Sequence, residues 1–294
     1  MLAPLAQTIS FLPTSLQYLS VMCGPLGGKP FGDTIISLVC RCGPSLRSFK
    51  TSAPLSEAAT NHIMRLPNIS HWTVTQEPPR VVPTFILPSL ESIWLDEPEA
   101  LLWLHLLASH ERSVPRNDSV SATQHTYIRE RLKFFECTRT IVDSTFLSSA
   151  VEFKNLVRLN VHAGCYDTEY CIFRLTDDDM ENLAASLPRL VDLRLGGPCR
   201  STSCNTTVAS LLSISVRCLD LTVLETHFNT QRIVSDMQRL VDGGVARDKP
   251  ECKLRTLMVG RLPFGVGEEG IETIAMGFKI IFPCLASFEP WEGG

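Results

Sequence analysis

The chain has 294 residues, 44% of them hydrophobic and 20% charged, with a formal net charge of −4. That apolar fraction supports a sizeable buried core and excludes an intrinsically disordered chain. The weak negative balance excludes a global basic footprint for nucleic acid or for an anionic membrane surface.

The first expected element lies in "LPTSLQYLSV", where Leu16, Leu19 and Val21 fit the spacing L-x-x-L-x-L. The spacing fits a short strand with the leucine-type positions on one face. A helical stretch is expected over 33–43, and the phrase returns at Leu46 and Phe49. A second helix over 56–65 leads to Ile69, Trp72 and Val74 in "LPNISHWTV", and Leu90, Ile93 and Leu95 follow in "LPSLESIWL". The apolar "LLWLHLL" (101–107) lies in a longer segment, 97–125. A helix at 126–136 and a strand near Thr138–Val142 are expected after it.

The next phrase is Leu156, Leu159 and Val161. A helix over 176–187 opens with Thr176 as N-cap and three Asp in the first turn, where the helix dipole favours them. Leu190, Leu193 and Leu195 then repeat the phrase in "SLPRLVDLRLGG". Val216, Leu219 and Leu221 are taken as the next set of anchors. A helix over 230–241, with Ile233, Met237, Leu240 and Val241 on one stripe, precedes Leu254, Leu257 and Val259. A last helix over 268–282 leads to Leu285 and Phe288. Pro stands two residues before the first anchor at Leu46, Ile69, Leu90, Leu190 and Leu285, and three before Leu16.

Nine phrases on one template, separated by helical segments, are a repeat. Successive first anchors lie 30, 23, 21, 66, 34, 26, 38 and 31 residues apart, so the 66-residue gap holds about two units. One helix–strand unit cannot bury its own apolar face, whereas stacked units can. The expected fold is an α/β leucine-rich-repeat-like solenoid, with a parallel strand row on the concave side and helices on the convex side. It is expected to run over 1–294 as a single solenoid, with a degenerate or inserted repeat at 97–145.

Eleven cysteines are scattered along the chain without a CxxC pair. They read as core thiols of an intracellular protein, cytoplasmic or nuclear. No apolar run reaches the roughly 18 residues of a membrane span. The N-terminal "MLAPLAQTISFLPTS" lacks a positive leading region and is broken by Pro4 and Pro13, so no secretory signal is expected. The sequons at Asn68, Asn117 and Asn205 are read as chance, Asn68 falling within an expected strand.

Several motifs raise competing chemistry. "GVGEEG" carries Gly265, Gly267 and Gly270 in G-x-G-x-x-G spacing between an expected strand and helix. This is the basis of the alternative reading, a nucleotide-dependent enzyme using the Gly265–Gly270 loop. Against it, the first Gly comes six residues after the strand, and Glu268 and Glu269 would repel a pyrophosphate at the helix start. "CGPLGGKP" (23–30) misses the phosphate-loop spacing, and Pro30 stands where a Ser or Thr would bind magnesium. His162, Cys165, Cys171, Cys199 and Cys204 fall in loops after adjacent strands. A zinc site, a disulfide and unconnected thiols all remain open there, the last being favoured because the spacing matches no zinc pattern. No metal and no cofactor is expected, and no catalytic residues are assigned.

"LPRLVDLRLGG", "LPSLESIWLDEP" and "IAMGFKIIFPCLASFEPW" resemble the leucine-rich-repeat portion of fungal F-box-type proteins, especially those of mushroom-forming fungi. The resemblance spans nearly the whole chain. It implies a non-catalytic protein–protein interaction module, akin to the substrate-recognition part of an F-box-type ubiquitin ligase. A segment in the style "LPxELLxxIF" does not occur, so a Skp1-type adaptor is expected as partner only if an F-box is supplied elsewhere.

Alternation along the strands turns the residues between the leucines outward. That row includes Tyr18, Ser20, Lys50, His71, Thr73, Trp94, Arg158, Asn160, Asp192, Arg194, Asp220, Met258 and Glu289. The expected partner-binding set is Tyr18, Lys50, His71, Trp94, Arg158, Arg194 and Asp220, since aromatic and Arg side chains dominate interface energetics.

Overall fold

The Leu-Pro signature builds a β-turn that brings the chain from helix to strand. In the computed structural model the Leu90 amide donates to the Leu87 carbonyl at 3.0 Å, with Pro88 second in the turn. Proline suits that position because its ring presets φ near −65°. The same closure joins Leu190 to Leu187 around Pro188, and Leu285 to Phe282 around Pro283. It also forms without proline, from Leu156 to Phe153 and from Leu221 to Cys218. The structure describes residues 14–22, 38–52, 55–74, 87–96, 100–109, 128–138, 141–162, 173–196, 204–243, 251–259 and 266–290. The chain divides into two compact units, Met1–Cys137 and Thr138–Gly294.

The first unit carries strands β1 (Tyr18–Val21), β2 (Ser48–Thr51), β3 (His71–Val74), β4 (Ser92–Leu95) and β5 (Phe134–Thr138). They pair in parallel, each with the next in the chain. Leu19, Phe49, Trp72, Ile93 and Phe135 align in register, and all are buried. At each strand entrance two successive amides donate to one carbonyl of the preceding repeat. Arg47 and Ser48 use Gln17, Ser70 and His71 use Arg47, Glu91 and Ser92 use Ser70, and Lys133 and Phe134 use Glu91. Side chains in the turns add a second ladder: Ser45 donates to the Thr14 carbonyl, Asn68 to Pro44, Ser89 to Pro67 and Arg131 to Pro88. Asn68 therefore sits in the turn before β3 and not within a strand.

Residues 38–42 are helical, and helices α1 (Glu57–Met64), α2 (Ala100–Ser109) and α3 (Ile128–Arg131) follow. The strand expected at Thr138–Val142 lies earlier, at Phe134–Thr138. Its anchors are Leu132, Phe135 and Cys137, all fully buried, and the last two pair with Ile93 and Leu95. The Trp103 ring of α2 meets Trp72 edge-on, with centroids 5.3 Å apart.

The second unit carries β6 (Arg158–His162), β7 (Asp192–Gly196), β8 (Val223–Thr226), β9 (Thr256–Val259) and β10 (Ser287–Pro290), again parallel and in chain order. Its helices are α4 (Ser144–Ala150), α5 (Asp177–Ser186), α6 (Val208–Arg217), α7 (Ile233–Gly243) and α8 (Glu268–Ile281). The entrance motif recurs from Val157 to Val191 and Asp192, from Val191 to Thr222 and Val223, from Thr222 to Arg255 and Thr256, and from Arg255 to Ala286 and Ser287. The strand expected around Val216–Leu221 is not there. Val216 is an exposed residue of α6, and the anchors are Leu221, Leu224 and Thr226. Leu224 pairs with Leu193 and Leu257, which fixes the register. Both units are thus leucine-rich-repeat-like α/β stacks, with the leucine face of the strands packed inward.

Buried thiols replace some of the turn donors. Cys218 Sγ lies 3.9 Å and 3.8 Å from the Ala184 and Leu187 carbonyls. Cys252 Sγ lies 3.2 Å from the Cys218 carbonyl. Burial pushes these thiols up to about 12 for Cys218 and about 11 for Cys252, so both stay protonated as donors. Cys40 and Cys284, by contrast, are exposed.

The "TDDD" stretch has two structural uses. Thr176 and Asp179 form a reciprocal capping box at the start of α5. Asp177 accepts from the amide and the hydroxyl of Thr207, the N-cap of α6, at 2.6 Å and 2.7 Å. Asp177→Ala is therefore expected to destabilise the Thr138–Gly294 unit more than Asp178→Ala, by about 1–2 kcal/mol. Chemical denaturation of the two variants measures the difference.

Candidate partner-binding face

On the outward side of the first unit, register aligns Ser20, Lys50, Thr73, Trp94 and Glu136. The Lys50 ammonium lies 4.8 Å from the centroid of the Trp94 ring, reaching across Thr73 on the intervening strand. Such a cation–π contact fixes both side chains and keeps the ring half-buried. The Trp94 indole N–H has no hydrogen-bond partner among the described residues. Tyr18 is 58% exposed at the start of β1. His71 is exposed, and its Nδ1 lies 2.8 Å from Ser70 Oγ. Phe134 and Glu136 join this face because β5 lies earlier than expected.

On the second unit two rows run side by side: Arg158, Asp192, Val223, Thr256 and Ser287, then Asn160, Arg194, Glu225, Met258 and Glu289. Asp192 is the hub. One carboxylate oxygen takes Arg158 Nε at 3.1 Å and the other takes Arg194 Nε at 2.9 Å. The carboxylate is covered while both guanidinium groups stay partly exposed, as expected of long Arg side chains over a short Asp. Asn160 and Asp192, expected as outward lining, do face that side but are buried, and so is Glu225. Asp220 is off the face: it is exposed in the turn before β8 and pairs with Lys253 of the next turn at 2.7 Å. The face position expected for it belongs to Glu225, which the misplaced strand had hidden.

Burial raises the Glu225 carboxyl above its ordinary value, and the Arg194 and His162 charges only partly offset this. A carboxyl raised in the folded state binds protons that the unfolded chain has released, so its contribution to stability falls as pH rises from the ordinary Glu range through the raised value. Glu225→Gln is expected to gain stability relative to the native chain as pH goes from 4 to 7. Urea midpoints of both proteins across that range measure it.

The remaining motifs do not assemble a catalytic centre among the described residues. Gly267 is the N-cap of α8, with Glu268 and Glu269 in its first turn, and the strands run in chain order, unlike a doubly wound dinucleotide fold. Gly265 and residues 23–30 lie outside the described residues. Of the Cys/His group, His162 is exposed at the end of β6 and Cys204 is buried, while Cys165, Cys171 and Cys199 also lie outside them. Among the described residues no three side chains are grouped to hold a metal, and no helix is long and apolar enough to cross a membrane.

No protein-family model matches the chain, and no curated protein matches it. Among solved structures it is similar to an internalin from Listeria monocytogenes, at 15% identity and a TM-score of 0.45. The match covers 95% of this chain, which spans 64% of the internalin chain.

Proposed function

We propose that this protein is a non-catalytic protein-binding repeat module, with the outward strand row of each unit as a partner-binding face. The observation that carries the reading is the register itself, which stations Lys50 with Trp94 on one unit and Arg158 with Arg194 on the other, pointing away from the leucine face. Trp and Arg on a rigid sheet are the side chains that most often anchor interfaces, because little freedom is lost on binding. The resemblance to fungal F-box-type repeats supports a finer reading, substrate recognition for a ubiquitin ligase, with a Skp1-type adaptor engaged only through an F-box supplied elsewhere. The thiols of Cys40, Cys137, Cys218, Cys252 and Cys284, which form no disulfide, support a reducing compartment, cytoplasmic or nuclear.

Affinity capture of the intact protein from its own cells tests this. The Trp94→Ala, Arg158→Ala, Arg194→Ala triple variant is expected to lose its partner while unfolding at nearly the native midpoint. If it captures the same partner, and substitutions in 163–172 or 198–205 abolish capture, the working surface is the loop end of the repeats instead.

A further inference from the structure

The Asn160 side chain is an anomaly that the fold does not use. It is only 6% exposed, yet its Oδ1 has no hydrogen-bond partner among the described residues. An unpaired buried amide oxygen is costly and uncommon in native proteins. Asn160 lies on the outward face, opposite Arg194 in register. Arg194 uses only Nε toward Asp192, and nothing else among the described residues takes its terminal nitrogens. Arg158 is held by the other oxygen of the same carboxylate. An unpaired amide oxygen and two guanidinium groups held by one carboxylate therefore meet on adjacent strands.

Resting on the strand-face reading above, we infer that the β6–β8 face takes an acidic peptide segment of a partner protein. A carboxylate of the segment docks on Arg194 and a main-chain N–H of the segment donates to Asn160 Oδ1. The chemistry is complementary on both counts. A guanidinium presents a planar fork that matches a carboxylate, and Asp192 has already fixed the fork's direction. The Asn160 Oδ1 is an acceptor without a donor, and a backbone N–H is a donor of the matching kind. The exposed ionisable side chains of β6 and β7 are Arg158, Arg194 and His162, all basic, while the acidic groups beside them, Asp192 and Glu225, are buried. The exposed Glu289 stands three strands from Arg194, roughly 14 Å at the usual strand spacing.

The test is selection from a phage-displayed library of random peptides on the full chain, followed by titration of the winning peptide, synthesised with a fluorescent label. The selected peptides are expected to be rich in Asp and Glu. Binding should weaken about tenfold in Arg194→Gln and in Asn160→Leu, and should fall as sodium chloride is raised. Arg194→Gln keeps the side chain's stem and polarity, and the denaturation midpoint of each variant checks that it is folded. Basic or apolar winners, no winners, or acidic winners that bind Arg194→Gln as tightly as the native chain overturn the inference. The two readings separate cleanly. Non-acidic winners that the Trp94, Arg158, Arg194 alanine variant loses leave the strand face standing and remove only the acidic partner. Winners that every variant keeps remove both.

Discussion

Leu193→Asp is expected to unfold the Thr138–Gly294 unit, while its neighbour Arg194→Asp leaves it folded. Leu193 has no exposed surface and pairs in register with Leu159 and Leu224, two further buried leucines. Removing a buried leucine side chain costs about 2–5 kcal/mol. The carboxyl left in its place finds no polar partner in that row and must be desolvated or protonated, about 1–3 kcal/mol more. The sum approaches the whole stability of an ordinary domain, about 5–15 kcal/mol. Arg194 is partly exposed and shares Asp192 with Arg158, so its loss leaves that carboxylate one cation. The new Asp would repel Asp192 and Glu225 across a solvated face, a cost of about 1–2 kcal/mol. Urea midpoints followed by circular dichroism decide it, and equal midpoints would mean that the faces of β7 are assigned the wrong way round.

The repeat was legible because one local device recurs with the same chemistry: a leucine, a proline at the second position of a turn, and a leucine that closes it. Proline is not required, since the phrases at Leu156 and Leu254 lack it and still mark β6 and β9, but at 216–221 its absence leaves the register ambiguous. At 216–221 two phrases overlap, Val216–Leu219–Leu221 and Leu221–Leu224–Thr226. The first looks better on hydrophobicity alone, because it ends on an apolar residue. The structure chooses the second. Thr226 can stand in the core because its hydroxyl lies 3.3 Å from the His227 carbonyl and serves as a donor to it. The spacing already held the clue, since the intervals of 26 and 38 residues around Val216 become 31 and 33 once Leu221 is the anchor. The helix α6, "VASLLSISVR", carries β-branched and Ser residues that disguise it. Its cap is held by Asp177 of the preceding helix, a contact 30 residues away that no local pattern displays.

The same limit explains the site. Alternation identified Arg158, Arg194 and Trp94 as outward residues. It could not tell that Asp192, beside Arg158 in the outward row, would be covered by both guanidinium groups, or that Lys50 would reach over Thr73 to Trp94. Those facts depend on which strand neighbours which, and at what register. The degenerate repeat at Leu132, Phe135 and Cys137 is hidden for a simpler reason: no proline precedes it and its third anchor is Cys137, although Cys fills the same buried space.

Gly277→Leu is the second substitution expected to be severe, and its cause is a close approach between helices. Gly277 of α8 faces Met237 of α7. A Cβ at 277 would stand 2.3 Å from Met237 Sδ, 2.8 Å from its Cβ and 2.9 Å from its Cγ. The sulfur could swing away, because methionine is flexible. The Met237 Cβ cannot, being fixed to the backbone of α7. The helices must therefore separate, and the buried row of Ile233, Met237, Ile274 and Phe278 loosens with them. Overpacking of this kind costs about 1–3 kcal/mol, and a leucine, which extends well beyond its own Cβ, falls at the upper end. Alanine at Met237 removes Sδ and Cγ and leaves only the 2.8 Å Cβ conflict. Met237→Ala alone is expected to destabilise by opening a cavity, yet in the Gly277→Leu background it should recover part of the lost stability, because the new leucine enters that space while the Cβ conflict remains. The double-mutant cycle then shows a coupling of about 1–3 kcal/mol favouring the pair. Additive losses in urea denaturation would mean that α7 and α8 do not approach at Gly277, and that the glycine is tolerated there without being required.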